Sequence, residues 1–297
     1  WMKNYGSSNN EQGNDIVENS DSTLVVVGWT AGFGAGATDA YILALSPIGD
    51  TLWTRTYGGG GEDELESISK SIGGGGYIVA GSSNSWSISS NAYILRLDDN
   101  GDTLWTKIFG GTFQDYAYSI EENPADSGWI VGGVTYGYGA GGEDMFMAKL
   151  EYSGTISWFK TYGTGADDGA YAARPTSDGG FIAAGYSSQL SEDMFVVKTD
   201  NVGDTVWTRV FGSEDGNEVA YDIQLTSDGG YVLCGNYYDI GGVGEQVYVV
   251  KINANGKAIG CQQQTSNAYE LPHTPSTDMP TPSSMGTGAI TATPSIS

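Results

Sequence analysis

The chain has 297 residues, including 46 Gly, 19 Tyr, 8 Trp and 8 Phe, and its formal net charge is −24 at pH 7. This composition favours many short strands and tight turns, so we predict an all-β protein. The negative charge argues against nucleic acid and anionic membrane surfaces as partners, because long-range repulsion opposes their approach.

No run of about eighteen apolar residues occurs, so the sequence predicts no membrane-spanning helix. The chain begins without Met and without an apolar leader, which suggests either a processed chain or a sequence that starts at its first ordered residue. We expect the protein at the cell surface or outside the cell. In an oxidising compartment Cys234 and Cys261 would form one bridge.

A repeated unit organises most of the chain. The pattern W-x-[KR]-x-[YF]-G begins at Trp1, Trp53, Trp105, Trp158 and Trp207. Each unit then has a shorter strand signal, an apolar block such as "GYIVAG", and a second apolar block such as "AYILRL". Turn sequences such as "SDGG" at 177–180 and "DNGD" before Trp105 separate these blocks, so each unit predicts four short antiparallel strands.

Five such units predict a five-bladed β-propeller over residues 1–260, and a linear solenoid of sheets is the alternative. The fifth unit has Gly260 where the next Trp would stand. We therefore expect "WMKNYG" at the N-terminus to supply the outer strand of the last blade and to close the ring, which would protect two sheet edges.

The Trp strand carries a basic residue two positions after each Trp. Because side chains at i, i+2 and i+4 share one side of a strand, we predict that each cation lies between two aromatic rings. A second basic position lies on the third strand of four units. The first set is Lys3, Arg55, Lys107, Lys160 and Arg209, and the second is Arg96, Lys149, Lys198 and Lys251.

The motifs "GDTLWT", "SDGG[YF]I" and "D-x-[YF]-[IV]" resemble the β-propeller repeat of secreted and cell-surface proteins from bacteria and archaea. The resemblance covers residues 1–260 and implies the architecture but no activity.

One end of the predicted propeller carries long, variable, glycine-rich loops and two sets of polar residues. The first set, before the inner strand, is Glu11, Asp63, Asp115, Asp168 and Glu218. The second, before the third strand, is Asp39, Asn91, Asp144, Asp193 and Gln246. These residues either form an acidic mouth that binds Ca²⁺ or cap backbone N–H groups of their own turns. We predict no other cofactor and no metal site of ordinary type.

Aromatic residues in the same loops are candidates for stacking on sugar rings or anchoring a protein partner, and packing beneath their own loops is the alternative. They are Trp29, Trp86, Tyr136, Tyr138 and Tyr237, with Phe33, Tyr186 and Tyr238 beside them.

The repeated positions give little support to a catalytic function. The single His273 lies in the tail, which rules out a Ser-His-Asp arrangement on the propeller. A glycoside hydrolase remains the enzymatic alternative, with its carboxylates drawn from Glu143, Asp144, Glu192 and Asp193.

Residues 261–297 form a tail rich in Pro, Ser and Thr. Its segment "GAITATPSIS" has the β-branched residues suited to joining an exposed sheet edge, on its own ring or on another copy. We therefore expect a non-enzymatic extracellular protein that assembles with copies of itself into a filament or surface array. The alternative is an adhesin that binds carbohydrate or Ca²⁺ on the long-loop face.

Overall fold

The computed structural model describes residues 1–189, 191–213, 216–239, 244–258 and 289–290. As predicted, the protein is all-β, and the described residues contain no helix. None of them forms a helix of the length and hydrophobicity that crossing a bilayer requires. The strands are β1 (Glu11–Glu18), β2 (Leu24–Thr30), β3 (Asp39–Leu45), β4 (Thr51–Tyr57), β5 (Asp63–Lys70), β6 (Tyr77–Ser83), β7 (Asn91–Leu97), β8 (Thr103–Phe109), β9 (Asp115–Asn123), β10 (Gly128–Thr135), β11 (Asp144–Leu150), β12 (Ile156–Tyr162), β13 (Asp168–Pro175), β14 (Phe181–Ser187), β15 (Asp193–Thr199), β16 (Thr205–Phe211), β17 (Gly216–Leu225), β18 (Tyr231–Asp239), β19 (Glu245–Ile252) and β20 (Ala289–Ile290).

These strands form five sheets, with orders β1-β2-β3-β4-β20, β5-β6-β7-β8, β9-β10-β11-β12, β13-β14-β15-β16 and β17-β18-β19. Each Trp strand from β4 to β16 is the fourth strand of its sheet, as the repeat predicts. The four-stranded antiparallel sheets fit a β-propeller. The chain divides into two compact units, residues Trp1–Glu122 with Pro280–Ser297, and residues Asn123–Met279.

Within each unit, neighbouring sheets bury apolar side chains against each other. In the first unit Val27 and Ile42 of the first sheet join one core with Leu65 and Val79 of the second. In the second unit Val196 of the fourth sheet shares a core with Leu233 of the fifth. The cores are made from the apolar blocks that the repeat places on the second and third strands.

The Trp strand of one sheet holds the "GD" turn of the next. The Trp53 ring would lie 2.8 Å from a Cβ on Gly101, whose φ is +79°, so only glycine suits that turn. The Tyr57 hydroxyl donates a hydrogen bond to the Gly101 carbonyl at 2.5 Å, and the Arg55 guanidinium lies 3.6 Å from the Asp102 carboxylate. The two most recurrent motifs of the sequence therefore bind each other.

The predicted position of the strand cations needs a correction in one respect. Arg55 and Arg209 lie over the rings of Trp53 and Trp207, at 5.6 and 5.2 Å from the ring centroids. Lys3 and Lys160, however, donate to the turn carboxylates Asp50 and Asp204 at 2.6 and 2.5 Å. A compact ammonium gains more from an oxygen partner than from a second ring.

The predicted N-terminal strand is not formed. Residues 1–10 lie in no strand, and the fifth sheet has three strands among the described residues. The Trp1 indole donates to the Pro47 carbonyl at 2.9 Å, and the Tyr5 hydroxyl donates to the Gly49 carbonyl at 2.7 Å. The other Trp strands pair through a short hairpin with the strand before them, whereas the predicted partner of this segment is distant in sequence, so that pairing costs more chain entropy.

The tail supplies a short strand to its own chain. In β20, Ala289 and Ile290 pair antiparallel with Tyr57 and Thr56 at the outer edge of β4. The predicted boundary of the propeller at residue 260 and Cys261 both lie outside the described residues. Cys234 is exposed on β18, and its bridge to Cys261 stays a prediction.

Candidate functional site

The first strand of a sheet is interrupted by a β-bulge near its start. The register shifts between Gly13 and Asp15 in β1, and the same shift occurs in β5, β13 and β17. The extra residue has no partner across the ladder, and such a bulge re-aims its side chain. The bulge residues are Asn14, Glu66, Tyr171 and Tyr221.

A glycine on the second strand makes the bulge possible. A Cβ on Gly185 would lie 1.9 Å from the Gly169 carbonyl oxygen, and one on Gly235 would lie 1.7 Å from that of Val219. Any other residue would push the two strands apart. The glycine that ends each "YIVAG"-type block is therefore required by the close approach of the first strand.

The bulge residues differ from sheet to sheet, unlike the positions that define the repeat. In the second unit they are Tyr171 and Tyr221, whose ring centroids lie 5.3 Å apart at an interplanar angle of 50°. Tyr171 also contacts Tyr186 at 5.7 Å. A continuous aromatic surface thus runs from the fifth sheet to the fourth.

A carboxylate lies at one end of this surface. The hydroxyls of Tyr136 and Tyr186 both donate to Glu143, one to each carboxylate oxygen. Glu143 is half-buried in the loop before β11, and Tyr186 is buried. We call Tyr136, Glu143, Tyr171, Tyr186 and Tyr221 the Glu143 cluster.

The surroundings of Tyr171 within the Glu143 cluster favour its protonated form. The pKa of Tyr171 is raised, chiefly because the side chain is buried. The neighbouring Tyr221, Glu192 and Glu143 raise it further. The cluster therefore combines a phenol donor on Tyr171 with the carboxylate oxygens of Glu143 as acceptors for a ligand.

The aromatic surface continues to polar groups on the fifth sheet. Asn236 of β18 donates from Nδ2 to the Tyr221 hydroxyl at 3.3 Å and also to the Glu245 carboxylate. In the matching position of other sheets stand Trp29, Ser82, Val134 and Tyr186. Asn236 is therefore not a residue that the repeat requires.

In the first unit the matching first strand carries two carboxyl groups. Glu64 and Glu66 share one side of β5, and Glu66 is the bulge residue. Burial raises the pKa of both, and Glu62 raises that of Glu64 while Glu64 raises that of Glu66. Asn14 donates from Nδ2 to the Leu65 carbonyl at 2.8 Å, which holds it beside this pair.

The acids predicted to form a mouth are placed together in pairs, and most are buried. Gly163 brings Asp144 and Asp168 together, since a Cβ there would lie 3.0 and 2.6 Å from their carboxyl oxygens. Asp144 accepts from the N–H groups of Ala140 and Gly141, and Asp168 accepts from the N–H of Thr164. Asp144 through both oxygens and Asp168 through Oδ2 are thus bonded to their own turns. Asp39, Asp63 and Asp115 accept turn N–H groups in the same way.

Two members of the predicted sets, Asp193 and Glu218, interact with each other. Asp193 and Glu218 are hydrogen-bonded to each other, and burial raises the pKa of both carboxyls. Ser213 also donates to Glu218 at 2.8 Å. Because these acids and Asp144 bind turn groups, Glu143 and Glu192 are the two that remain of the glycosidase carboxylates predicted from sequence.

The remaining members of the two predicted sets are placed differently. Glu11 accepts from Ser7 at 2.6 Å, Asn91 is buried and Gln246 is exposed.

These buried carboxyls give the protein a pH dependence of stability. Asp39, Asp144 and Asp168 also have a raised pKa through burial. The native state therefore holds protons that the unfolded chain releases at about pH 4, and stability falls as the pH rises through the native pKa values. The groups with a lowered pKa, Asp178 and Asp228, lose their stabilising contribution only as the pH falls below about 4.

We expect Tm to be higher at pH 5 than at pH 8, both by this linkage and because protonation relieves the repulsion within a chain of charge −24. Differential scanning calorimetry across this range at constant ionic strength measures it. A Tm that climbs steadily to pH 8 would contradict the assignment.

Most of the predicted aromatic residues pack within their own sheets. Trp86 lies 5.6 Å from Tyr93, and Tyr138 lies 5.6 Å from Phe159. Tyr237 packs on Tyr248 at 6.3 Å. Tyr136 differs, because its hydroxyl binds Glu143. Trp29 is half-buried, Phe33 lies 6.1 Å from Tyr41, and Tyr238 is exposed.

The sequence prediction missed Tyr171, Tyr221 and Asn236. The available signal was a position whose residue type varies between repeats: the third residue after the acid of the first set reads Asn14, Glu66, Tyr118, Tyr171 and Tyr221. In the described part of the chain, no three His, Cys, Asp or Glu side chains form a group able to hold a metal ion. The predicted Ca²⁺ site stays a prediction.

No protein-family model matches the chain, and no curated protein is similar to it in sequence. Among solved structures, it is similar to the periplasmic gluconolactonase PpgL of Pseudomonas aeruginosa, with a TM-score of 0.55 and 15% sequence identity. The alignment covers 82% of this chain and 69% of that chain. The likeness supports the β-propeller fold.

This likeness corrects two of our predictions. We expected a non-enzymatic structural protein that assembles into a filament or array, with an adhesin as the alternative. The similar fold of a solved gluconolactonase overturns the expectation of a non-enzymatic protein. A repeated position serves the fold, so the lack of a catalytic arrangement in the repeat does not exclude chemistry in the loops.

Proposed function

We propose that this protein is a hydrolase that opens an uncharged sugar lactone at the Glu143 cluster. The observation that carries the proposal is the Glu143 carboxylate, held between two tyrosine hydroxyls at the end of a tyrosine-lined surface. The similar fold of a gluconolactonase supports the choice of a cyclic ester as the substrate class.

The chemistry needs a base, a donor for the developing oxyanion and a proton for the leaving oxygen. Glu143 takes a proton from a water molecule, and the resulting hydroxide adds to the lactone carbonyl. The Tyr136 hydroxyl, 38% exposed, turns from Glu143 to donate to the carbonyl oxygen as it becomes negative. When the ring C–O bond breaks, protonated Glu143 returns its proton to the ring oxygen, which leaves a hydroxy acid.

The charge of the surface favours the same substrate class. Glu143, Glu192 and Glu245 give this part of the second unit an excess of acidic side chains, and burial raises the pKa of Tyr171 among them. An uncharged ring can approach it, whereas a ring bearing a carboxylate or phosphate is repelled. The same repulsion helps to expel the hydroxy acid once it ionises.

The test is an assay of the purified full chain with D-glucono-δ-lactone, following acid release with a pH indicator and subtracting spontaneous hydrolysis. We expect hydrolysis above background, and slower hydrolysis of a lactone that carries a carboxylate. If the folded protein, checked by circular dichroism, accelerates the hydrolysis of neither D-glucono-δ-lactone nor δ-valerolactone, the proposal fails.

We also propose that the five sheets are the blades of one propeller and that the protein works outside the cytoplasm. The first point is supported by a contact repeated between neighbouring sheets. The Tyr57 and Tyr162 hydroxyls of two Trp strands donate to the Gly101 and Gly203 carbonyls in the turns of the next sheets. The periplasmic neighbour supports the second. Fractionation of the source cells, followed by immunoblotting, tests the location.

A further inference from the structure

The side-chain amide of Asn236 is only half satisfied. Its Nδ2 donates to the Tyr221 hydroxyl and to Glu245, but its Oδ1 is buried and has no hydrogen-bond partner within the described part of the chain. The orientation of the amide is fixed by chemistry, since the Glu245 carboxylate can only accept. Oδ1 is therefore the atom left over.

A buried acceptor without a partner is costly, and such groups in native proteins call for a water or a ligand. The partners of the same side-chain amide, through its Nδ2, are Tyr221, a residue that is 51% exposed, and the carboxylate of Glu245. The surroundings of this amide thus combine the aromatic face of Tyr221 with two hydrogen-bond acceptors, Asn236 Oδ1 and the Glu245 carboxylate. A hydroxylated ring matches it, because its C–H face stacks on the aromatic ring while its hydroxyls donate.

We propose that Asn236 is a specificity residue, which accepts a hydrogen bond from a ring hydroxyl of the substrate while Tyr221 supports the ring's face. This inference rests on the proposed function and deepens it, because it states what part of the lactone is recognised. A lactone without hydroxyls leaves Oδ1 unpaired and gains nothing from Asn236. The recognised class is therefore a polyhydroxylated, uncharged ring.

The experiment compares two substrates in two proteins. D-Glucono-δ-lactone carries the ring hydroxyls, and δ-valerolactone has the same ring without them. In Asn236→Ala we expect KM for the first to rise roughly tenfold, the factor that corresponds to one lost hydrogen bond, with kcat within about twofold. KM for δ-valerolactone should not change.

Asn201→Ala is the matched control, since Asn201 is exposed in the turn between β15 and β16. Tyr221→Ala is the second variant and should raise KM for both lactones through loss of the stacking face. The Tm of each variant separates a folding defect from a binding defect. Equal changes in KM for the two lactones in Asn236→Ala would overturn the assignment of Asn236.

Binding of D-glucose, measured by isothermal titration calorimetry, keeps the inference separate from the proposed reaction. If the wild-type chain binds glucose and Asn236→Ala does not, the inference stands even where no lactone is hydrolysed. If the wild-type chain hydrolyses lactones but Asn236→Ala behaves like wild type with both lactones and with glucose, the inference fails and the proposed function stands.

Discussion

Replacing Glu143 by glutamine is expected to lower kcat for lactone hydrolysis by about 100- to 10,000-fold, the range that general base catalysis contributes. Glutamine keeps the shape of the side chain and still accepts from a tyrosine hydroxyl, but it cannot take a proton from water. The fold should survive, because the structural role of this residue is carried by its main chain: the Glu143 carbonyl accepts from the Asp168 N–H at 2.9 Å.

The measurement is kcat and KM of Glu143→Gln beside Glu151→Gln. Glu151 is an exposed carboxylate in the turn between β11 and β12 of the same sheet, so it controls for the loss of one negative charge. A Glu143→Gln enzyme with near wild-type kcat would remove this residue from the chemistry. Tyr136→Phe should cost less than Glu143→Gln, because water can replace one of the donors to the oxyanion.

The third-strand cations predict a graded loss of stability across equivalent positions. Lys198→Met is expected to lower the free energy of unfolding by about 2 kcal/mol, and Lys251→Met by less than about 1 kcal/mol. The Lys198 side chain is 3% exposed and that of Lys251 is 34% exposed. Methionine keeps the apolar stem in both cases, so the difference isolates the ammonium and its bonds.

Both ammonium groups contact an Asp and a main-chain carbonyl, and Lys251 donates in addition to the Thr226 hydroxyl at 2.9 Å, so a smaller loss at Lys251 would arise despite one more bond. Lys198 donates to Asp178 at 3.0 Å and to the Thr199 carbonyl at 2.8 Å. Lys251 donates to Asp228 at 2.9 Å and to the Ile252 carbonyl at 3.3 Å. Urea unfolding of both variants measures the two losses. Equal losses, or a larger loss at Lys251, would show that burial does not set the strength of these contacts.

The same cations show why the repeat was readable from sequence. Each reaches the turn between the first two strands of its own sheet, as Lys149 reaches Asp126 at 3.0 Å. The Trp, basic and Tyr positions reach the turn of the next sheet. A contact made once in every sheet imposes the same residue type at the same spacing every time, and such positions are visible in a single chain.

The Glu143 cluster was only partly readable. Glu143 and Tyr136 were named from the loops, but nothing in a linear pattern joins them to Tyr171 or Asn236. These residues stand at positions where the units differ, and they meet because a bulge turns one side chain out of the ladder. A bulge cannot be predicted from a period-two pattern, because the extra residue interrupts the alternation of side chains.

The sequence by itself determined the four strands of the first four repeats, the position of the Trp strand as the fourth strand of its sheet, and the all-β class. These follow from local rules: alternation of side chains along a strand, glycine where the backbone comes close, and turn residues between strands. It did not determine whether the N-terminal segment forms a strand, because that strand would need a partner distant in sequence. Tertiary structure alone decided which acids are buried against their own turns and which one faces the tyrosines. That choice depends on burial and on neighbours from other strands, and these exist only once the sheets have packed.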